Sequence, residues 1–121
     1  MVTLPRMLKE TFWLYLDSLI RSAELVIDRP KGSSHPRYPS TIYPLDYGYL
    51  AGTSGGDGQE VDVWRGSAEY KLDAVICTVD VLKRDVEVKL LLGCTAEEKA
   101  IVSDFYNATE HMASMLVQRE G

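Results

Sequence analysis

The chain is poor in several features that would otherwise define it. It has two cysteines, Cys77 and Cys94, in 121 residues, too few for a disulfide framework and without the paired CxxC spacing of a zinc site. Both are expected to be inert core thiols in a reducing cytosol, because free cysteine is among the most buried residue types. No apolar run approaches the roughly 20 residues of a membrane-spanning helix, since Asp17 interrupts FWLYLDSLI. That run follows Arg6, Lys9 and Glu10 and lacks a small-residue cleavage site, so neither a signal peptide nor a membrane anchor is expected, and the cytoplasm is the expected compartment.

Basic residues are scarce as well, with 13 Lys+Arg against 18 Asp+Glu and a formal net charge of −5. A sequence-independent nucleic-acid binder draws its affinity from cations on phosphates, and this balance argues against that class. An acidic chain can still meet phosphates through divalent cations, for which its carboxylates become ligands. The sequence has no GxxxxGKS loop, and Gly56-Asp57-Gly58 lacks the third glycine of a dinucleotide fingerprint, which argues against nucleotide binding by either common route.

What the chain does have is 45% hydrophobic residues, enough for one domain over 1–121. A domain of this size buries about two-thirds of the surface its unfolded form exposes. Within 1–24, Leu8, Phe12, Leu16, Leu19 and Ile20 recur at helical spacing, with Lys9, Glu10, Asp17 and Arg21 between them. This predicts an amphipathic helix with its apolar face on the core, widened by Trp13, Leu14 and Tyr15 enough for a contact between subunits. Residues 25–92 read as the strand-rich part. Leu25-Val26-Ile27 leads into DRPKGSSHPRYPSTIYP, whose Pro, Gly and Ser content demands turns and extended backbone. EVDVW reads as a strand, and LDAVICTVDVL with VEVKLLL reads as a hairpin around Lys83-Arg84-Asp85. Thr95 with Glu97 and Glu98 predicts an N-cap opening a second helix over 95–117, with His111 on it. Close strand spacing argues against parallel βαβ units.

Three segments carry candidate chemistry. In Asp57-Gly-Gln-Glu-Val-Asp62, a period of two puts Val61 and Val63 on one face and Glu60, Asp62 and Trp64 on the other. Asp57 precedes them among glycines, so several carboxylate oxygens could meet one hard cation; the alternative is a solvated outer face. In DVEVKLLL, Val86, Val88 and Leu90 alternate with Asp85, Glu87 and Lys89. Two acids and a lysine on one face either pair in water or face a metal-bound polyanion. In YPLDYGY, Tyr43, Tyr47 and Tyr49 supply hydroxyls without charge, with Arg29, Lys31 and Arg37 upstream as cations for phosphate oxygens. His35 is either an anion contact or an ordinary loop residue.

Taken together, DRPKGSSHPRYP, YPLDYGY and GDGQEVDVW resemble the soluble family I inorganic pyrophosphatases, in particular a compact bacterial subgroup, over about Leu25 to Tyr106. The resemblance implies a mainly β (α+β) fold, a small closed antiparallel OB-like β-barrel with N-terminal and C-terminal helices. It implies Mg²⁺-dependent hydrolysis of diphosphate to two phosphates, and assembly into a homo-oligomer, with the first helix as candidate contact. By position, Asp57, Asp62, Asp85 and Glu87 resemble metal ligands. Asp28 stands where larger members have a metal-linked glutamate. Lys89 and Tyr47 resemble the lysine and tyrosine at the catalytic centre, while Lys31, Arg37, Tyr43 and Tyr106 fall among the phosphate contacts. Gln59 departs from the family, standing where an aspartate serves as general base; glutamine can position a water but cannot take its proton. An arginine expected before the YP motif is also missing, since Ser40-Thr41-Ile42 precede Tyr43. The alternatives are therefore a weakened or non-catalytic relative that binds metal and phosphate, or a hydrolase of another phosphoanhydride.

Overall fold

The computed structural model describes residues 4–120; residues 1–3 of the expected first helix, and Gly121, lie outside them. Helix α1 spans Leu4–Ser22, followed by strands β1 Leu25–Arg29, β2 Asp46–Leu50, β3 Val61–Arg65, β4 Leu72–Asp80 and β5 Asp85–Leu92. Helix α2 spans Ala96–Asn107 and strand β6 spans Met112–Gln118.

The six strands form one sheet in the order β1-β2-β3-β5-β4-β6. All neighbours are antiparallel except β3 and β5, which run parallel with Val63 opposite Leu90. The chain leaves β3, passes over one position to form β4, and folds back through a tight hairpin, so β5 fills the gap running in the direction of β3. The wholly antiparallel arrangement implied by the resemblance is corrected by that inserted hairpin.

The sheet is also open where a closed barrel is implied. A small closed barrel has a single interior, whereas this sheet buries apolar residues on both faces. On one face Trp13 and Ile20 of α1 pack with Leu50, Val63, Leu72, Val75, Leu90 and Leu92. On the other, Val102 and Tyr106 of α2 pack with Tyr43, Leu45, Trp64, Ala74, Ile76, Leu91 and Cys94. Leu8 and Phe12, expected on the core face of α1, are 61% and 49% exposed, and the buried contacts of the helix come from Trp13 and Ile20 instead.

The second helix is shorter than the expected 95–117. Thr95 caps it as a capping box with Glu98, but the helix ends at Asn107. The Asn107 amide donates to the Ser103 carbonyl and to Ser114 Oγ, and its carbonyl accepts from the Ser114 N–H. That side chain ties the helix end to a strand, and His111 falls in the intervening turn. Residues 112–118 alternate, with Met112 and Leu116 packed under α2 and Met115 and Val117 exposed, and they pair along β4 from Asp80 to Ala74. The unpaired edge of β4 outweighs the helix-forming bent of Met, Ala and Leu.

Gly48 marks the close approach of β1 to β2, since a Cβ there would fall on the Val26 carbonyl. Cys94 is a buried thiol, pushed up to about 12 by burial first and then by the Glu98 charge, as expected of an inert core cysteine. Cys77 is only half-buried, on the sheet face that continues beyond α1.

Candidate active site

Register on three adjacent strands builds the candidate site. Tyr47 on β2 lies opposite Trp64 on β3, so Asp62, two residues before Trp64, emerges on the same face. On β5 the parallel pairing brings Lys89 beside Asp62. Alternation then puts Glu87 and Lys89 on that face too. The Lys89 ammonium donates to Tyr47 Oη at 2.8 Å and to Asp62 Oδ2 at 2.9 Å, and contacts Glu87 Oε2 at 2.6 Å. It also lies 5.2 Å from the centre of the Tyr47 ring and 5.9 Å from that of Tyr106.

The faces of β5 are thus the reverse of a simple apolar-in reading. Lys89 is 6% exposed, while Val86 and Val88 are 73% and 52% exposed. The lysine reaches under the rings of Tyr47 and Tyr106, and the valines extend past the cover of α1. Burial opposes its charge, but the surrounding Tyr106, Tyr47 and Asp62 oxygens and the Glu87 hydrogen bond outweigh it, so Lys89 is held firmly protonated. Tyr47 is raised, chiefly by burial.

An aromatic wall supports this group. Tyr47 lies 4.7 Å from Trp64 and stacks at 5.4 Å on Tyr43, whose ring is stacked with His35 at 6.2 Å. The Trp64 indole N–H donates to Tyr106 Oη at 3.0 Å, and Tyr106 is 5% exposed and pushed up to about 12 by burial. Tyr106 is therefore part of the floor, its hydroxyl turned to Trp64.

The other expected residues lie outside this knot. Asp57 Oδ1 accepts from the Gln59 backbone N–H at 3.0 Å, which makes Asp57 the cap of its own glycine turn, with Gly58 at φ +84°. Gln59 is exposed in that turn. Asp85 stands at the hairpin end opposite Asp80, 3.8 Å from Lys83 Nζ. Lys31 and Arg37 are exposed; the Lys31 backbone N–H donates to Asp46 Oδ1, and that of Arg37 to His35 Nδ1. Asp28 pairs with Arg29 at 3.5 Å.

One grouping is not visible in the spacing. The His35 imidazole is lowered, first by burial and then by the charges of Arg29, Arg37 and Lys83, so three cations from β1, the long loop and the β4–β5 turn act on one ring. Arg29 also acts on Tyr43, pulling its phenol down against a larger upward push from burial. Arg29 and Lys83 lie 54 residues apart in sequence (83 − 29), and each also pairs with a neighbouring acid, Arg29 with Asp28 and Lys83 with Asp85.

The donor set does not fit a resident multi-cation cluster. Among the described residues no group of three or more His, Cys, Asp or Glu side chains converges as a metal-ligand set. Asp62 and Glu87 converge, but on Lys89. Asp57 and Asp85 serve their own turns, and Gln59 brings no charge.

The fold is similar to a known one. No family model and no curated protein matches the chain. A solved structure of an inorganic pyrophosphatase from Helicobacter pylori matches at a TM-score of 0.56 and 16% identity, covering 78% of this chain and 81% of that one. At that identity the likeness establishes a pyrophosphatase-like fold, here an α+β chain with a six-stranded sheet and two helices. Among the described residues no helix is long and apolar enough to cross a membrane.

Proposed function

We propose that the chain is an inorganic pyrophosphatase, taking up diphosphate as its Mg²⁺ complex beside Lys89, Asp62 and Glu87 and splitting it with one water into two phosphates. The observation that carries this reading is the buried Lys89 ammonium, joined to Tyr47, Asp62 and Glu87 on a pyrophosphatase-like fold. Lys89 and Tyr47 offer donors to phosphate oxygens at the floor. The charges of Arg29, Arg37 and Lys83, which all act on His35, would favour the approach of a polyanion. Asp62 and Glu87 are the carboxylates able to accept the proton of the attacking water, a task closed to Gln59. Mg²⁺ on the substrate neutralises charge on the leaving phosphate.

The test is phosphate release from diphosphate with Mg²⁺ by the purified protein. Turnover should fall to background in Asp62→Ala, and a wild-type protein without turnover overturns the proposal. Gln59 favours a second reading, a non-catalytic phosphate binder, which requires calorimetric binding of diphosphate without hydrolysis.

We also propose that copies associate in the cytoplasm through α1, where Leu8, Phe12, Leu14 and Tyr15 are all exposed. Sedimentation should show a species heavier than one chain that dissociates in Leu14→Glu; a monomer at all concentrations rejects it.

A further inference from the structure

A lysine ammonium has three hydrogens, and each has a partner here: Tyr47 Oη, Asp62 Oδ2 and Glu87 Oε2, all within 2.9 Å. The two carboxylates are partly open to water, at 31% and 22% side-chain exposure, whereas the Lys89 side chain is at 8%. The cation is thus the inner member of the group and the anions face solvent. A divalent ion bound by Asp62 and Glu87 would sit against this ammonium, like charge beside like charge in a poorly hydrated setting. It would find two carboxylates, since Asp57 and Asp85 are engaged in their own turns. Mg²⁺ demands a near-octahedral shell of oxygens and gives up its waters reluctantly, so two carboxylates already neutralised by a lysine hold it weakly.

We infer that Lys89 is the resident cation of this site, occupying Asp62 and Glu87 so that the free protein keeps no divalent ion there. The inference deepens the functional reading of the same site, resting on it only in taking diphosphate as the ligand. A phosphate oxygen offers Lys89 another acceptor, which releases the two carboxylates as the metal-bearing anion arrives. The ion is then a companion of the substrate, and Lys89 sets the order of events.

Mn²⁺ alone, titrated into the intact chain and followed by its paramagnetic resonance signal, tests this. Wild type should show no site tighter than about 1 mM, the weak end of the affinity scale. Lys89→Met leaves Asp62 and Glu87 facing each other without a counter-ion, and should gain one Mn²⁺ site at least about tenfold tighter, a change of the size that neighbours impose on metal ligands. The double variant Lys89→Met/Asp62→Asn should lose it again. A wild-type site as tight as that of Lys89→Met, or no gain in the folded variant, overturns the inference. Should Lys89→Met fail to fold, wild type decides: a site tighter than about 1 mM that weakens in Glu87→Gln overturns it, and its absence upholds it. Imidodiphosphate, a diphosphate analogue that resists hydrolysis, is titrated separately. If it fails to bind, the functional reading falls and the Mn²⁺ result still decides the role of Lys89.

Discussion

Gln59 sits in the exposed turn before β3, outside the Lys89 group, and its neutral amide stands where the resemblance implies an aspartate. An added carboxylate there would lie close in sequence to Asp57 and Asp62 and could take the proton of a bound water. Gln59→Asp is nonetheless expected to leave phosphate release from diphosphate largely unchanged, because position 59 lies in an exposed turn outside the Lys89 group; a gain of about 10²–10⁴, the usual range for a positioned general base, would place it at the reacting water. Steady-state turnover at saturating substrate checks it, and an unchanged rate means that Asp62 or Glu87 already does this work. Asp62, Glu87 and Lys89 were legible in the sequence because alternation along a strand assigns faces without knowledge of the fold, and Tyr47 through the tyrosine cluster of YPLDYGY and the resemblance it carries. Their mutual contact was not, because it depends on β5 lying beside β3, a neighbour relation that local spacing does not carry. The influence of Lys83 on His35 was obscured for the same reason, as it comes from the hairpin turn 48 positions further along the chain (83 − 35).

Among the elements, α2 was legible at its start and illegible at its end. Thr95 Oγ1 accepts from the Glu98 N–H, while Glu98 Oε1 accepts from the Thr95 N–H and both its carboxylate oxygens accept from the Ser67 N–H. Such a box depends on four consecutive residues, so a sequence reveals it. The end at Asn107 depends on Ser114 across a turn and on the free edge of β4, which no local window contains. Burial nudges the Glu98 carboxyl up, but the Thr95 and Ser67 hydrogen bonds outweigh it and hold it below its ordinary 4.5. A carboxyl lowered on folding contributes stability above its unfolded value and loses it as the pH falls through its folded value. The advantage of wild type over Glu98→Gln should therefore be full above pH 4.5 and shrink in more acid solution. Losing the cap itself, by Thr95→Ala, should cost about 1 kcal/mol at neutral pH. Thermal melts across the acid range check both, and a constant gap for Glu98→Gln contradicts the first.

A two-pronged ion pair joins the ends of the molecule. Arg119, just after β6, donates from Nη1 to Asp17 Oδ1 at 3.0 Å and from Nη2 to Asp17 Oδ2 at 2.8 Å, across 102 positions of sequence. The same guanidinium donates to the Leu72 carbonyl at 3.1 Å and lies 5.8 Å from the Trp13 ring centre. It therefore fastens α1, the start of β4 and the end of β6 at one point, where both partner side chains are only about a fifth to a quarter exposed. Exposed ion pairs contribute little, but a two-pronged, partly buried pair restricts both side chains in the geometry that charge-assisted bonds prefer. The Asp17→Asn/Arg119→Lys double-mutant cycle should give a coupling of about 1–3 kcal/mol in urea unfolding. Because α1 rests on one face of the sheet through Trp13 and Ile20 and this clamp, losing the pair should loosen the helix before the sheet. Amide exchange in Asp17→Asn should accelerate in α1 while β4 and β5 stay protected. Equal acceleration in all three would mean that the helix and sheet unfold as one unit and that the clamp has no local role.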